Sequence, residues 1–186
     1  MSPILGIFAS QGRVSNSYES IQTYTLGSSQ ASVTFSSIPS TYKHLQVRII
    51  SRTDRSANEF DGSNIRFNSD SGSNYAYHRL FGDGSTVTSD SFSTQTSGYV
   101  GTTMGGGGIT NAFSCAIIDV LDYANTNKNK TVRTLSGRDN NASSGSINFA
   151  SSLWMNTSAI TSITILTSVG PNFVANSSFA LYGIRG

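Results

Sequence analysis

The sequence predicts an all-β protein: an antiparallel β-sandwich, jelly-roll-like, with an extended N-terminal arm. Three observations carry this. First, Ser, Thr, Asn and Gly take the place of charged residues, which make up only 12% of the chain. Glu occurs only at Glu19 and Glu59 and Lys only three times, so strong helix formers are scarce while turn and strand formers abound. Second, apolar residues alternate with a period of two, and no helical period is framed by a helix start and stop. Third, nine or ten such segments recur at intervals of roughly 8–20 residues, separated by turn residues. An immunoglobulin-like sandwich has fewer strands and is the second choice. The absence of a fixed repeat disfavours propellers and β-helices.

Residues 1–17 read as an arm rather than a core strand. Pro3, Gly6 and Gly12 surround the apolar residues Ile4, Leu5, Ile7 and Phe8. Those four side chains are expected to dock on a partner. Residues 18–186 are expected to form one domain, long enough to bury a core without disulfides or metals.

Within that domain, 18–26 is the first strand segment, stopped by Gly27-Ser28-Ser29. In 31–38, Val33 and Phe35 alternate with Thr34 and Ser36, and Pro39 ends the run. In 44–52, Leu45, Val47 and Ile49 point inward and Gln46 and Arg48 outward. A short strand at 65–68 follows a turn at Asp61-Gly62, and aromatic-rich 75–81 ends at Gly82-Asp83-Gly84. Residues 83–109, with Gly105–Gly108 in a row, read as an exposed, variable loop or a pair of short edge strands. The apolar run 112–123 reads as a central strand covered on both faces near Ile117 and Ile118. Segments 131–138, 147–154, 159–167 and 178–184 complete the set.

Composition narrows the function. A net charge of +2 with scattered arginines argues against nucleic acid as a partner. No apolar run approaches the roughly 18–20 residues of a membrane-spanning helix, so no membrane insertion is expected. The apolar stretch near the start lacks preceding basic residues and is short for a signal peptide, so assembly in a cytoplasm is expected.

Motifs for chemistry are sparse. Cys115 is single, so no intrachain disulfide forms, and it reads as a small core hydrophobe. His44 and His78 have no metal-site spacing, and His78 reads as a hydrogen-bonded member of a polar-aromatic cluster. There is no Gly-x-Ser-x-Gly elbow and no phosphate loop. Asp119 and Asp122 fall on opposite faces of a strand rather than facing each other as a glycosidase pair would. Asp61, Asp70, Asp83 and Asp139 are single acids in turns, short of a calcium cage. The sequons at Asn129, Asn141, Asn156 and Asn176 arise by chance in such a composition. No catalytic residue, metal or cofactor is therefore expected, and the chain reads as a binding or structural protein rather than an enzyme. Tyr75, Tyr77, Tyr99 and Trp154 form either a sugar-stacking platform or core and subunit contacts. Tyr99 and Trp154 are the candidate ligand-binding surface.

Several stretches resemble small virion structural proteins of tailed bacteriophages. They are Pro3-Ile-Leu-Gly-Ile-Phe-Ala-Ser-Gln, Thr41-Tyr-Lys-His-Leu-Gln-Val-Arg, Gly72-Ser-Asn-Tyr and Ile118-Asp-Val-Leu-Asp-Tyr-Ala-Asn-Thr-Asn-Lys. Lys130-Thr-Val-Arg-Thr-Leu-Ser-Gly, Ala159-Ile-Thr-Ser-Ile-Thr and Phe179-Ala-Leu-Tyr-Gly-Ile continue the resemblance through nearly the whole chain, with 85–109 the weakly matching part. The resemblance implies a phage particle but brings no catalytic residues. Within such a particle a jelly roll with an apolar arm suits a capsid decoration (cement) protein, and loop 83–109 with Tyr99 alternatively suits a tail fibre or tail-associated module that binds a host-surface glycan. Partners would be phage capsid or tail proteins and further copies of the chain, as a trimer or dimer.

Overall fold

The computed structural model describes residues 17–141 and 144–186. Ile4, Leu5, Ile7 and Phe8, the expected docking residues of the arm, lie outside the described residues.

The described residues form twelve strands: β1 (Tyr18–Thr25), β2 (Ser32–Phe35), β3 (His44–Ser51), β4 (Phe60–Phe67), β5 (Tyr75–Gly82), β6 (Val87–Gln95), β7 (Gly98–Met104), β8 (Ser114–Val120), β9 (Lys130–Asp139), β10 (Gly145–Trp154), β11 (Ile163–Thr167) and β12 (Ser178–Ile184). An eight-stranded sheet runs β1-β12-β3-β8-β9-β10-β5-β6 and a four-stranded sheet β2-β11-β4-β7. All strand pairs are antiparallel, and the two sheets pack as a sandwich. The fold class read from the sequence, an antiparallel sandwich compatible with a jelly-roll description, is the one observed.

Period-two alternation sets the core. Leu45, Val47 and Ile49 of β3, Ile118 and Val120 of β8 and Phe179 and Leu181 of β12 face the small sheet. Phe35 of β2, Ile163 and Ile165 of β11 and Ile65 and Phe67 of β4 meet them from the other side. Side chains of this size each gain about 1.5–3 kcal/mol from burial.

Four expectations are corrected. The turn expected at Asp61-Gly62 lies inside β4, where the fully buried Asp61 carboxylate accepts from the Gly62, Val169 and Gly170 amides and so reaches across to the neighbouring loop. Ile117 is exposed, so β8 is covered on one face only. Cys115 is exposed as well, because the core phase of β8 runs through Ala116, Ile118 and Val120, and Cys115 shares the opposite phase with Ile117. His78 likewise sits on the outward phase of β5, exposed, while Tyr77 and Arg79 point inward.

The segment 83–109 is built rather than loose. β6 and β7 are both edge strands, of the large and the small sheet respectively, as the second of the two readings had it; β7 is nonetheless buried along most of its length. A bulge at its pairing with β4 brings the backbone close to β9. Gly101 sits there at φ 134°, and any Cβ would collide with the Ser136 side chain, so glycine is required. The glycine run closes around Arg52. That guanidinium donates to the carbonyls of Gly106 (3.1 Å), Gly108 (2.8 Å), Ile109 (2.6 Å) and Ala112 (3.0 Å). In return the amides of Gly105, Gly106 and Gly107 donate to Glu59, Arg55 and Asn58 carbonyls. Arg52→Ala is expected to leave these carbonyls without their cation and to speed amide hydrogen exchange over Gly105–Gly108 by about tenfold or more. Unchanged exchange would show that the glycines order themselves without the guanidinium.

Candidate functional site

Two surface features stand out. The first is the outer face of the large sheet. Cross-strand register places Arg48, Ile117, Leu135, Phe149, Leu80 and Ser89 in one row across β3, β8, β9, β10, β5 and β6. The adjacent row holds Ile50, Cys115, Gly137, Ile147, Gly82 and Val87. Ile50, Ile117, Leu135, Ile147, Phe149, Leu80 and Val87 are all exposed, Ile147 at 66% and Val87 at 76%. Beyond the first row lies a polar one, Gln46, Asp119, Arg133, Ser151, His78 and Ser91, in which Arg133 pairs with Asp119 at 3.1 Å. Alternation thus gives this sheet a second apolar stripe, facing away from the core. Scattered exposed apolar residues are ordinary, but seven large ones in two contiguous rows mark an interaction surface.

The second feature is a cleft of about 320 Å³ where the inner side of β5 and β6 meets β7 and β4. Tyr77 stacks on Tyr99 (centroids 5.5 Å, 29°) and packs against Phe92 (5.0 Å). Arg79 forms two 2.7 Å bonds to Asp90 and lies over the Tyr99 ring at 4.9 Å. The paired Asp90 carboxylate raises the Arg79 pKa above its ordinary value. Arg55 approaches Asp61 at 3.9 Å and lies over Phe60, whose other contact is the Arg138 guanidinium at 5.1 Å. Asn64, Gln95 and Thr102 add polar groups. A second hollow of about 360 Å³ shares Phe60, Arg79 and Thr102 and extends to Arg138 and Asn148. Both Arg–Asp pairs are internally neutral, so the walls offer amides, hydroxyls and one tyrosine face rather than a net field.

The residues expected to form a ligand surface fare differently. Trp154 is buried, stacked near Tyr75 (6.4 Å) and Phe67 (5.4 Å), with its indole N–H donating 2.7 Å to Asp70. It belongs to the core, because its phase on β10 is the inward one, and this corrects the surface reading. Tyr99 is also almost wholly buried; it forms the floor of the cleft under Tyr77 and Arg79. Of the cleft aromatics, Phe60 is exposed and Tyr77 half-buried; Tyr77 was among the aromatics read as a platform, whereas nothing in the sequence pointed to Phe60 or Arg79. Among the described residues no group of three or more His, Cys, Asp and Glu side chains gathers as a metal site. The Nδ1 of His44 accepts from the Asp122 amide at 3.0 Å.

Asp70 supplies a pH-sensitive tie. The Trp154 indole N–H, then Asn74 and the Gly72 amide, hold its carboxyl below the usual carboxylate value. A depressed folded pKa stabilises the fold above the unfolded value of about 4, and the contribution disappears as pH falls through the folded value. The urea midpoint is expected to drop on acidification below about pH 4, with a parallel change in the near-ultraviolet dichroism of Trp154, the only tryptophan. Asp70→Asn should flatten that response; an identical pH profile would remove Asp70 from the account.

No family model matches the chain, and neither a curated protein nor a solved structure matches it.

Proposed function

We propose that the chain is a non-enzymatic structural subunit of a bacteriophage virion, working in the head as a capsid decoration (cement) protein. The observation that carries this is the outward apolar stripe of the eight-stranded sheet, which a protein working alone would expose to water. The resemblance of segments along nearly the whole sequence to virion structural proteins supports the particle as its setting. The remaining surface is rich in hydroxyl and amide groups, suited to an exterior that is solvated without charge. Quantitative mass spectrometry of purified particles tests the reading. A copy number comparable with the major capsid subunit supports head decoration. A few to a few dozen copies would move the chain to the tail, and its absence from particles would overturn the proposal.

The cleft favours a second reading, a tail-associated module that binds a host-surface glycan. Its neutral, amide-lined walls and the Tyr77 ring suit an uncharged saccharide. Under this reading Tyr77→Ala and Asn64→Ala each weaken binding of neutral oligosaccharides by about tenfold, measured by saturation-transfer NMR. No transfer to any neutral oligosaccharide in the wild type would sink it.

A further inference from the structure

The apolar stripe has the shape of its own complement. This inference rests on the chain being a subunit of an assembly, and it names the stripe's occupant. In the second row, two glycines flank the most prominent central side chain: Gly137, Ile147, Gly82, then Val87. An added Cβ at Gly137 would meet only the Ser146 carbonyl, at 3.8 Å, and at Gly82 only the Thr86 carbonyl (3.7 Å) and a Val87 methyl (3.9 Å). Both positions are therefore open dimples beside ridges. A surface that carries ridge and dimple alternately in one row fills itself when a copy is turned through half a revolution.

The area agrees with that occupant. Seven apolar side chains at half exposure or thereabouts present on the order of 700 Å², close to the ~800 Å² per partner of a standard interface. In the polar row along one border Asp119 and Arg133 neutralise each other within one copy, so the border sets no like charge against an approaching copy.

We infer that two copies of this chain pair face to face through the outer surface of the eight-stranded sheet, with Ile147 and Phe149 at the centre and the Gly137 and Gly82 dimples receiving ridges of the second copy. The partner is thus another molecule of the same protein, not the shell and not the arm. This sets the oligomer as a dimer rather than a trimer, since a three-fold axis does not bring one face against itself.

Sedimentation velocity of the full chain over roughly a hundredfold range of concentration tests this. The wild type is expected to sediment as a dimer. Phe149→Lys places charge at the centre, and Gly137→Val fills a dimple; each should weaken association by about a hundredfold or more. Neither disturbs the core, because Phe149 is half exposed and Gly137 is open, and circular dichroism confirms the fold of each. Ser151→Lys, on the polar row, should leave the dimer intact. A wild-type monomer at the highest concentration, a trimer, or variants that dimerise like the wild type would overturn the pairing. Particles that carry a monomeric chain would overturn the pairing alone, whereas a dimer missing from particles would overturn the virion reading alone.

Discussion

Trp154→Ala is expected to lower stability by about 4 kcal/mol, near the top of the range for emptying a large buried aromatic. The residue is 1% exposed and shares a cluster with Phe67 and Tyr75. Its removal opens a void that three strands border, and it leaves the Asp70 carboxylate without its shortest donor, at 2.7 Å. For a chain of this length the change corresponds to a fall in melting temperature of roughly 10 °C. Chemical denaturation followed by far-ultraviolet dichroism measures it. A loss below about 1 kcal/mol would place the ring at the surface after all. The same number separates the two roles that the sequence left open for this aromatic.

Lys130→Met is the second large effect. The ammonium is buried and donates to the carbonyls of Asn125 (2.7 Å), Lys128 (2.9 Å) and Thr157 (2.9 Å). It thereby ties the β8–β9 connection to the segment after β10. Burial, and then the charge of Lys128, lower its pKa below the ordinary lysine value. Methionine keeps the length and removes all three bonds, leaving buried acceptors unsatisfied. The expected cost is about 3 kcal/mol, less than the bonds alone imply, because the desolvated charge disappears with them. Equilibrium unfolding in urea reads it, and a neutral or stabilising result would show that water reaches the three carbonyls in the variant.

The parts of the fold legible in the sequence are those where one face is wet and the other dry. In β2 and β3 the core phase was legible, since Val33, Phe35, Leu45, Val47 and Ile49 mark it, although Gln46 on the outward phase of β3 is covered too. β8 misled because both of its phases are apolar: Ile118 is core and Ile117 is outer surface. A binary pattern cannot say which of two apolar faces a second sheet covers. The same ambiguity concealed the outer stripe, whose rows assemble residues from six strands that only register aligns. β7 was hidden for the opposite reason. Gly98, Gly101, Thr102 and Thr103 interrupt its hydrophobic signal, so the buried Tyr99, Val100 and Met104 do not read as one strand face. The order of the glycine run comes from Arg52, more than fifty residues away in sequence. The cleft was partly visible: Tyr77 and Tyr99 were picked out as aromatics, whereas Phe60 and Arg79 join them only through the meeting of the two sheets.

The position of β12 has a consequence for how the polypeptide folds. β12 lies between β1 and β3, and among the described residues β1 has no other neighbour in the sheet. The strand Tyr18–Thr25 therefore waits for Ser178–Ile184 before it can pair, and so does one edge of β3. These two strands lie at opposite ends of the described residues, so the large sheet closes only once most of the chain between them has been brought together. Loop closure over this span makes folding slow, and until it is complete the unpaired edge and both apolar faces stand open to other chains. Yield in a cell is then governed by how long the sheet stays open, and slower expression at lower temperature should favour the closed sheet over aggregates.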